Sequence, residues 1–352
     1  MLSKRFKNNG KAILDLNELQ KETKKKIEEK INKGIYSFNK APCCVCGNRD
    51  FKILSGKDCY GLYCPVVICK NCGLIQQNPR MTQESYNYFY DIEYRKLYLG
   101  ENIPTDNFFR FQYDRGKKIY EYLEKNLRIN LSNLKIFEVG AGAGGILQYF
   151  KEKGNAVFGI DLDYQYITFG QEKYNLNLRV GTLDNITISW IPDIVIYSYV
   201  LEHLLNPLKE MKKLRQIIRG HSYVYVEVPG LKFMRRYCGG DFLYWIQNAH
   251  IYYFTLRTLK NLMKKSGYKF IYGEEVTNIY SIFKKSPNLY ERKNKFENDY
   301  NEAMSFLRRM EWYRFLPTPD NIIFYGRLAM VKLLKKVGLY NFSKKIYCKI
   351  KH

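Results

Sequence analysis

Apolar runs alternate with helix-like spacing along residues 133–228. The predicted strands are Lys135–Val139, Ala156–Ile160, Leu178–Val180, Ile194–Tyr197 and Ser222–Val228. Between them, the spacing of apolar residues predicts helices over Ile146–Lys153, 164–174 and Pro207–Ile218. Strands that alternate with helices are typical of a parallel sheet covered on both faces. The pattern therefore predicts an α/β fold with a doubly wound sheet.

The last elements of this region predict a different kind of connection. Helix Leu256–Lys265 ends at Gly267, and the strands Tyr268–Tyr272 and Ile279–Phe283 follow with only a short link between them. A short link forces two strands to pair antiparallel. We therefore expect the sheet to close with an antiparallel hairpin, and the α/β domain to span residues 133–285.

Both ends of the chain are polar and rich in lysine. Residues 1–40 predict a basic helical arm, either mobile or docked, with Asn17 as its N-cap and Gly34 as its stop. Residues 286–352 predict a basic helical tail. From Asn321 onward the tail has no acidic residue and eight basic ones: Arg327, Lys332, Lys335, Lys336, Lys344, Lys345, Lys349 and Lys351. We expect a helical cap with a solvated basic face; peripheral contact with an anionic membrane surface, or with a partner, is the alternative.

Residues 81–132 predict helices crowded with aromatic side chains. Ten aromatic residues fall between residues 86 and 113: Tyr86, Tyr88, Phe89, Tyr90, Tyr94, Tyr98, Phe108, Phe109, Phe111 and Tyr113. Most of them should pack in the core or between domains. A helix directly before the first strand of the sheet is also placed to act as a lid, so the segment is predicted to be a helical linker or lid.

Residues 41–80 contain two C-x-x-C-G motifs, which end at Gly47 and Gly73. Two residues between the cysteines of a pair let both sulfurs of a tight turn face one ion, and the glycine allows the positive φ of that turn. The predicted zinc ligands are Cys43, Cys46, Cys69 and Cys72. Four thiolates leave no open coordination position, so we interpret the site as structural and the segment as a small zinc-binding domain. Cys44, Cys59 and Cys64 are alternative ligands, and a set of buried free cysteines is the competing interpretation. The intervening Phe51–Ile68 predicts a hairpin.

Composition limits the setting of the protein more than its function. The 352 residues carry a formal net charge of +24, which would suit a nucleic acid, an anionic membrane or a phosphorylated substrate. A general compositional bias toward Lys, Asn, Ile and Tyr explains the charge equally well. No apolar run reaches roughly 18 residues, so no membrane-spanning helix is expected. No export signal is evident at the N-terminus, and we expect a cytoplasmic protein.

A glycine-rich turn follows the first strand of the predicted sheet. The stretch Ile136–Gly145 reads strand, glycine loop and helix, an arrangement in which a ligand can touch bare backbone at the carboxyl end of a strand. Gly140, Gly142 and Gly145 fit the dinucleotide spacing G-x-G-x-x-G. Glu138, Gly140, Gly142 and Gly144 fit E-x-G-x-G-x-G, the first motif of class I S-adenosylmethionine (SAM) methyltransferases. The stretch alone does not decide between the two cofactors.

The chain beyond this turn resembles the second family. Glu138–Gly144, the Gly-Ile-Asp that ends at Asp161, and the V-L-E-H-x-x-N-P segment Val200–Pro207 are similar to class I SAM methyltransferases, as is the H-x-x-x-F-T segment from His250 to Thr255. The resemblance implies a seven-stranded Rossmann-like sheet whose closing hairpin sets it apart from dehydrogenases. The paired cysteine knuckles resemble a subgroup with an N-terminal zinc-binding domain, which includes sugar methyltransferases of deoxysugar and surface-polysaccharide pathways. Residues 41–285 carry the resemblance.

The resemblance implies a set of residues that bind SAM. Asp161 stands at a strand end, placed to accept the two ribose hydroxyls, and Asp184 follows the third strand, where it could meet the adenine edge. The implied cofactor-binding residues are Glu138, Gly140, Gly142, Gly144, Asp161, Leu162, Asp184 and Ser198. A helix N-cap for Asp161 and a loop turn for Asp184 are the structural alternatives.

The reaction implied by the resemblance is methyl transfer to a sugar, which needs a base that removes a proton from an oxygen or carbon acceptor. His250 is the first candidate, because it follows the inserted region 231–249 over which an acceptor would enter. His203 is the second. A structural, hydrogen-bonded histidine is the alternative for both. Rival functions are an RNA methyltransferase with a zinc module, a non-catalytic scaffold with this fold, and an NAD dehydrogenase, which the hairpin and the V-L-E-H segment disfavour.

Overall fold

The computed structural model describes residues 1–98, 104–286 and 296–337. Its N-terminal part combines one long helix with short strands: α1 (Glu18–Asn32), β1 (Phe38–Asn39), β2 (Phe51–Lys57), β3 (Tyr63–Cys69), β4 (Ile75–Gln77) and β5 (Arg80–Met81). Strands β2, β3 and β4 pair antiparallel in sequence order, so the predicted hairpin forms. The short strands β1 and β5 pair with each other.

Helix α1 is a docked arm. The Asn17 side chain accepts the backbone N–H of Gln20, whose side chain in turn accepts the N–H of Asn17, and this capping box starts the helix. Gly34, with φ of +71°, follows its end. Ile27 is fully buried, and the Gln20 amide donates to the Leu97 carbonyl oxygen at 2.8 Å. The helix therefore packs on the body of the protein.

The aromatic segment is helical, as expected. It comprises α2 (Gln83–Phe89), a π-helical turn over Tyr90–Tyr94, α3 (Arg95–Tyr98) and α4 (Asp106–Leu127). The α/β elements follow: β6 (Lys135–Val139), α5 (Gly145–Glu152), β7 (Ala156–Asp161), α6 (Tyr164–Tyr174), β8 (Leu178–Val180), β9 (Ile194–Ser198), α7 (Pro207–Ile217) and β10 (Tyr223–Pro229). The remaining elements are α8 (Phe233–Tyr237), α9 (Phe242–Trp245), β11 (Tyr252–Tyr253), α10 (Leu256–Lys265), β12 (Tyr268–Glu275), β13 (Asn278–Lys285), α11 (Tyr300–Tyr313) and α12 (Pro319–Lys336).

Seven strands form the main sheet in the order β12-β13-β10-β9-β6-β7-β8. Strands β8, β7, β6, β9 and β10 are parallel, whereas β13 lies antiparallel between β10 and β12. The strand order reverses between β6 and β9, which places the carboxyl ends of these strands at the crevice where ligands bind in such sheets. This is the predicted Rossmann-like methyltransferase fold with its closing hairpin.

The fourth strand of the N-terminal sheet comes from a distant part of the chain. Strand β11, which follows the insertion 231–249, pairs antiparallel with β4, so the sheet runs β11-β4-β3-β2. The Gln77 side-chain amide reaches the same segment and donates to the His250 carbonyl oxygen at 2.8 Å. The cysteine-bearing segment and the α/β domain thus share backbone pairing directly beside His250.

Residues near the N-terminus pack against helix α11 and the insertion 231–249. Phe6 is fully buried against Phe242, and the Arg5 guanidinium donates to the carboxylates of Asp241 and Glu311, both at 2.8 Å. Helix α11 buries Leu307 in the same cluster. Lys344, Lys345, Lys349 and Lys351 of the predicted tail lie outside the described residues. Within the described ranges, no helix combines the length and apolar content that crossing a bilayer requires.

Candidate active site

The turn between β6 and α5 exposes bare backbone. Gly140, Gly142 and Gly144 have φ of +74°, +54° and +79°, values that a side chain strongly disfavours. The N–H groups of Gly140 and Ala141 donate to the Ile160 carbonyl at 2.8 and 2.9 Å, which ties the turn to the end of β7. A methyl group on Gly140 would overlap the side chain of Val200. The turn therefore lies directly against the segment that begins the V-L-E-H motif.

Asp161 and Leu162 lie at the same edge of the sheet, at the end of β7. The Asp161 carboxylate accepts the N–H of Gly142 at 2.8 Å and that of Asp163 at 2.9 Å, so it also fixes the glycine turn. Burial raises the pKa of Asp161 in spite of these two N–H donors. Leu162 is 63% exposed and presents an apolar side chain beside the turn.

Glu138 is a buried carboxylate beneath the turn. One of its oxygens, Oε2, has no hydrogen-bond partner within the described part of the chain. Burial, and next the negative charge of Asp161, raise the pKa of Glu138 well above its usual range. Burial also raises the pKa values of Glu202 and Glu227, and the positive charge of Arg115 on α4 opposes the rise at all three carboxylates. A cation that no sequence motif marks thus acts electrostatically on three buried carboxylates.

Ser198 belongs to a hydrogen-bonded group at the end of β9. Its hydroxyl donates to Glu227 Oε2 at 2.9 Å, and the Asn278 amide donates to Glu227 Oε1 at 3.1 Å and to the Tyr199 hydroxyl at 2.6 Å. Tyr199 has φ of +58°, an uncommon conformation for a bulky residue, and the Arg115 guanidinium lies 4.2 Å from the centre of its ring. Such strain concentrates at functional sites.

Asp184 makes contacts other than the predicted one. Its exposed carboxylate accepts a hydrogen bond from Lys213 and lies 3.5 Å from Lys209 Nζ, both on α7. The Lys213 hydrogen bond is the main cause that lowers the pKa of Asp184. The adenine contact predicted for this side chain stays a prediction, and it would compete with the two lysines.

His203 and His250 come together, with ring centres 4.9 Å apart. His203 Nδ1 lies 2.7 Å from the Tyr90 hydroxyl and 2.9 Å from the Ala249 carbonyl oxygen. His250 Nε2 lies 2.8 Å from the Gln247 side-chain nitrogen. Among the described residues, His250 Nδ1 finds no hydrogen-bond partner. The two predicted bases therefore lie side by side, and one ring nitrogen of His250 is buried without a hydrogen-bond partner in the described part of the chain.

Glu202 completes this histidine cluster, which we define as Glu202, His203 and His250. One ligand-type atom from each residue lies within 4.8 Å of the others. Neither carboxylate oxygen of Glu202 has a hydrogen-bond partner in the described ranges. Burial raises the pKa of Glu202 to about 8 and lowers that of His203 to about 4, so near neutral pH the cluster holds a mostly protonated carboxyl beside neutral imidazoles. A neutral imidazole can accept a proton.

Aromatic side chains surround the histidine cluster. The Tyr86 hydroxyl lies 2.7 Å from the His203 carbonyl oxygen and 2.9 Å from that of Ala249, and Tyr90 stacks on Tyr94 with ring centres 4.3 Å apart. On the other side, Trp245 and Tyr253 pack edge-on against His250. The predicted linker helices thus contribute α2 and the π-helical turn as a cover over the two histidines.

The four predicted metal ligands form a separate cluster. The Sγ atoms of Cys43 and Cys72 are 3.4 Å apart, as are those of Cys46 and Cys69, and all four lie within 4.8 Å of one another. A tetrahedral zinc ion with Zn–S bonds of about 2.3 Å requires S···S distances near 3.8 Å, so the four cysteines fit such an ion.

The two knuckles have the turn geometry expected of such a site. Gly47 and Gly73 have φ of +77° and +80°, and their N–H groups close the two turns onto the carbonyl oxygens of the first cysteine in each motif. The alternative ligands Cys44, Cys59 and Cys64 do not belong to this cluster.

Part of the chain matches a family model and several solved structures. Residues 111–272 match a family model described as a methyltransferase domain. Solved structures with a similar fold include a SAM-dependent methyltransferase from Mesorhizobium loti, at 13% identity and TM-score 0.40 over 47% of this chain and 97% of that chain. Magnesium protoporphyrin IX methyltransferase from Synechocystis PCC 6803 is similar at 15% identity and TM-score 0.42, over 57% of this chain and 98% of that chain.

The family match covers the glycine turn, Asp161 and the histidine cluster, but neither the cysteine cluster nor helices α11 and α12. No curated protein matches the chain. The sheet order with its antiparallel β13, the glycine turn after β6 and the family match lead to one conclusion. Residues 111–272 carry a methyltransferase domain.

Proposed function

We propose that the protein methylates a sugar, on an oxygen or a carbon atom, and that the acceptor is a nucleotide sugar or a surface-polysaccharide precursor in the cytoplasm. The observation that carries the proposal is the histidine cluster. Buried polar atoms without partners are costly, so such atoms in a folded protein call for a ligand that satisfies them. Here Glu202 and His250 each hold such atoms, in one cluster next to the segment that packs on the glycine turn.

The residues around the glycine turn would hold SAM. When bound, SAM supplies a methyl group on a cationic sulfur. Asp161 would accept the ribose hydroxyls with the oxygen lone pairs that its two N–H donors leave free, and Leu162 would cover an adenine face. Arg115 would pair with the carboxylate at the amino acid end, and Glu138 with its ammonium group. Ser198 would contribute to the same site by positioning Glu227. Asp184 would contact the adenine only if it breaks its ion pairs with the two lysines of α7.

His250 would act as the base. Its Nδ1 would accept the proton that leaves the acceptor, and the buried neutral imidazole is available to do so near pH 7. For Nδ1 to carry a lone pair, Nε2 must keep its proton and donate to the amide oxygen of Gln247, the reverse of the amide orientation described above. His203, with Nδ1 engaged by Tyr90 and Ala249, would orient the acceptor.

A sugar fits the surroundings of the cluster better than a flat or fully apolar acceptor does. Sugars present hydroxyl groups around an apolar ring face, and the site pairs unsatisfied polar atoms with the rings of Tyr90, Tyr94, Trp245 and Tyr253. The cysteine cluster supports the same proposal, because paired knuckles resemble the zinc-binding subgroup that includes sugar methyltransferases. We propose that zinc there is structural.

Calorimetric titration with SAM and NAD in parallel tests the cofactor. We expect micromolar affinity for SAM, none for NAD, and a loss of at least about tenfold in Asp161→Ala, because hydrogen bonds to a charged group disappear. Asp106→Ala, which alters an exposed carboxylate paired with Lys173, should bind SAM as the parent does. Unchanged SAM affinity in Asp161→Ala would contradict the assignment.

Mass spectrometry tests the acceptor. Incubation with SAM and a panel of nucleotide sugars and lipid-linked polysaccharide precursors should add one methyl group to at least one sugar, and product formation should fall by at least about 100-fold in His250→Gln. Methylation of RNA alone, with binding that weakens steeply as salt is raised, would instead favour the RNA methyltransferase. SAM binding with no methylated product from either class would favour the non-catalytic scaffold.

A further inference from the structure

Helix α12 carries an apolar stripe on its outer side. We define the outer stripe as Ile322, Ile323, Met330, Leu333 and Val337. Val337 is the residue directly after the helix. Each of the five side chains is more than half exposed. At 3.6 residues per turn these five positions fall within an arc of about 100°. A surface helix of a globular protein normally buries such an arc and presents polar residues to water. In and directly after α12 these five apolar side chains are presented to solvent instead.

Contacts on its opposite side fix the orientation of α12. Phe324 packs edge-on against Tyr244, with ring centres 5.1 Å apart. Asn321 is buried, and its amide donates to the carbonyl oxygens of Tyr313 and Leu316 at 2.7 and 2.9 Å. These contacts hold the first turns of α12, where Ile322 and Ile323 face outward. The stripe residues further along the helix are exposed as well.

Cations border the outer stripe, and exposed apolar residues precede it in the chain. Trp312 in the last turn of α11, and Phe315 and Leu316 in the link to α12, are 78%, 68% and 52% exposed. On the helical wheel, Arg327 lies about 40° beyond one margin of the stripe and Lys336 about 40° beyond the other. No acidic residue occurs from Asn321 to the end of the sequence.

We propose that the outer stripe binds the surface of an anionic membrane. An apolar stripe flanked by cations, with a tryptophan at one end, is the composition of helices that lie in the plane of a bilayer interface: the apolar side chains enter the acyl boundary and the cations contact headgroups. A second copy of the chain would set the cationic margins against each other. A nucleic acid would leave the apolar stripe without a function.

Helix α12 packs on the insertion over which the acceptor would enter. Phe324, on the inner side of α12, packs against α9, and α12 also contacts α8; both helices belong to the insertion that leads to His250. If the proposed function holds, on which this step rests, the enzyme would meet its acceptor at the membrane. The acceptor class is then a sugar carried on a lipid.

Co-sedimentation of the full chain with vesicles tests the docking surface. We expect binding to vesicles that contain phosphatidylglycerol, weaker binding to phosphatidylcholine alone, and a decrease with added salt. Leu333→Glu should reduce the bound fraction at least about tenfold. Val276→Glu is the matched control, because Val276 and Leu333 are both 57% exposed and Val276 lies in the β12–β13 turn. Leu333→Glu should keep the thermal midpoint and SAM affinity of the parent.

Three results would overturn the docking proposal. They are no binding to anionic vesicles, equal binding by Leu333→Glu and the parent, and a dimer in analytical ultracentrifugation that Leu333→Glu dissociates, which would assign the stripe to a second copy. Because SAM titration does not require vesicles, failure here leaves the methyl-transfer proposal intact. A protein that binds vesicles but not SAM would separate the two proposals in the other direction.

Discussion

The cysteine cluster and the histidine cluster bring their ligand-type atoms equally close, within 4.8 Å in both, yet they differ in how they arise. Two local turns, each closed by its own glycine, build the cysteine cluster. The histidine cluster joins residues that are 47 positions apart, from 203 to 250, and leaves buried oxygen and nitrogen atoms without partners. A set of four thiolates is complete once an ion binds. The histidine cluster needs a ligand that binds and dissociates. The cysteine cluster therefore suits a structural role, and the histidine cluster suits a catalytic one.

Removal of one thiolate should have the largest effect. Structural zinc contributes about 10–16 kcal/mol in small zinc-binding peptides, comparable to the whole stability of a domain, about 5–15 kcal/mol. We therefore expect Cys43→Ser to lose its zinc, measured by atomic emission, and to aggregate or unfold at room temperature. Cys44→Ser changes the neighbouring thiol outside the cluster and should keep both metal and fold. Full zinc content in Cys43→Ser would show that the cluster does not hold the ion.

Removal of the proposed base should slow turnover strongly and leave folding intact. His250→Gln is expected to lower kcat by about 10²–10⁴-fold, the usual contribution of general base catalysis. SAM affinity, measured by calorimetry, should stay within a few-fold, because His250 does not line the glycine turn. His221→Gln replaces an exposed histidine and serves as the control. If His203→Gln loses the larger factor, the roles of the two histidines are exchanged.

Glu202 should make stability depend on pH. The folded protein holds its proton up to a pKa of about 8, whereas the unfolded chain loses it near 4.5. Between these values folding takes up a proton, so Glu202 lowers stability as pH rises, by up to about 1.4 kcal/mol per pH unit. The advantage of Glu202→Gln over the parent in urea unfolding should grow from pH 4.5 to pH 8. Glu274→Gln, an exposed carboxylate, should show no such trend, and parallel curves for Glu202→Gln would refute the buried proton.

The smallest effect is expected at the aromatic cover. Tyr90→Phe removes the hydroxyl next to His203 Nδ1 but leaves the Ala249 carbonyl oxygen as a partner. The loss should not exceed about 1 kcal/mol, or about fivefold in kcat. Tyr88→Phe, which changes an exposed residue of the adjoining helix α2, controls for general destabilisation. A loss as large as that of His250→Gln would make Tyr90 part of the proton path.

The sheet could be predicted because its signals are local. Apolar runs of strand length and the link between Tyr268–Tyr272 and Ile279–Phe283 are visible in short windows, and the structure confirms the order and the antiparallel closure. The bounds of α6 and α10 agree residue for residue with the predicted helices. The spacing within each C-x-x-C-G motif likewise predicts the geometry of its turn. Two short segments are therefore enough to predict that these four cysteines form one cluster.

Contacts between distant segments could not be predicted in the same way. Arg115 lies on an amphipathic helix with no motif, and only the folded chain brings its charge to Glu138 and Glu202. The two-residue strand β11 is too short to give a periodic signal, yet it joins the N-terminal sheet to the α/β domain. The polar composition of residues 1–10 likewise conceals that Phe6 is fully buried.

The salt bridges of Arg5 have a consequence for biosynthesis. Its partners Asp241 and Glu311 are 236 and 306 positions further along the chain. A ribosome that adds about 5–20 residues per second needs roughly 15–60 s to deliver the second partner. During translation Arg5 therefore cannot complete this pair of salt bridges until helix α11 has been synthesised, so the contact forms late.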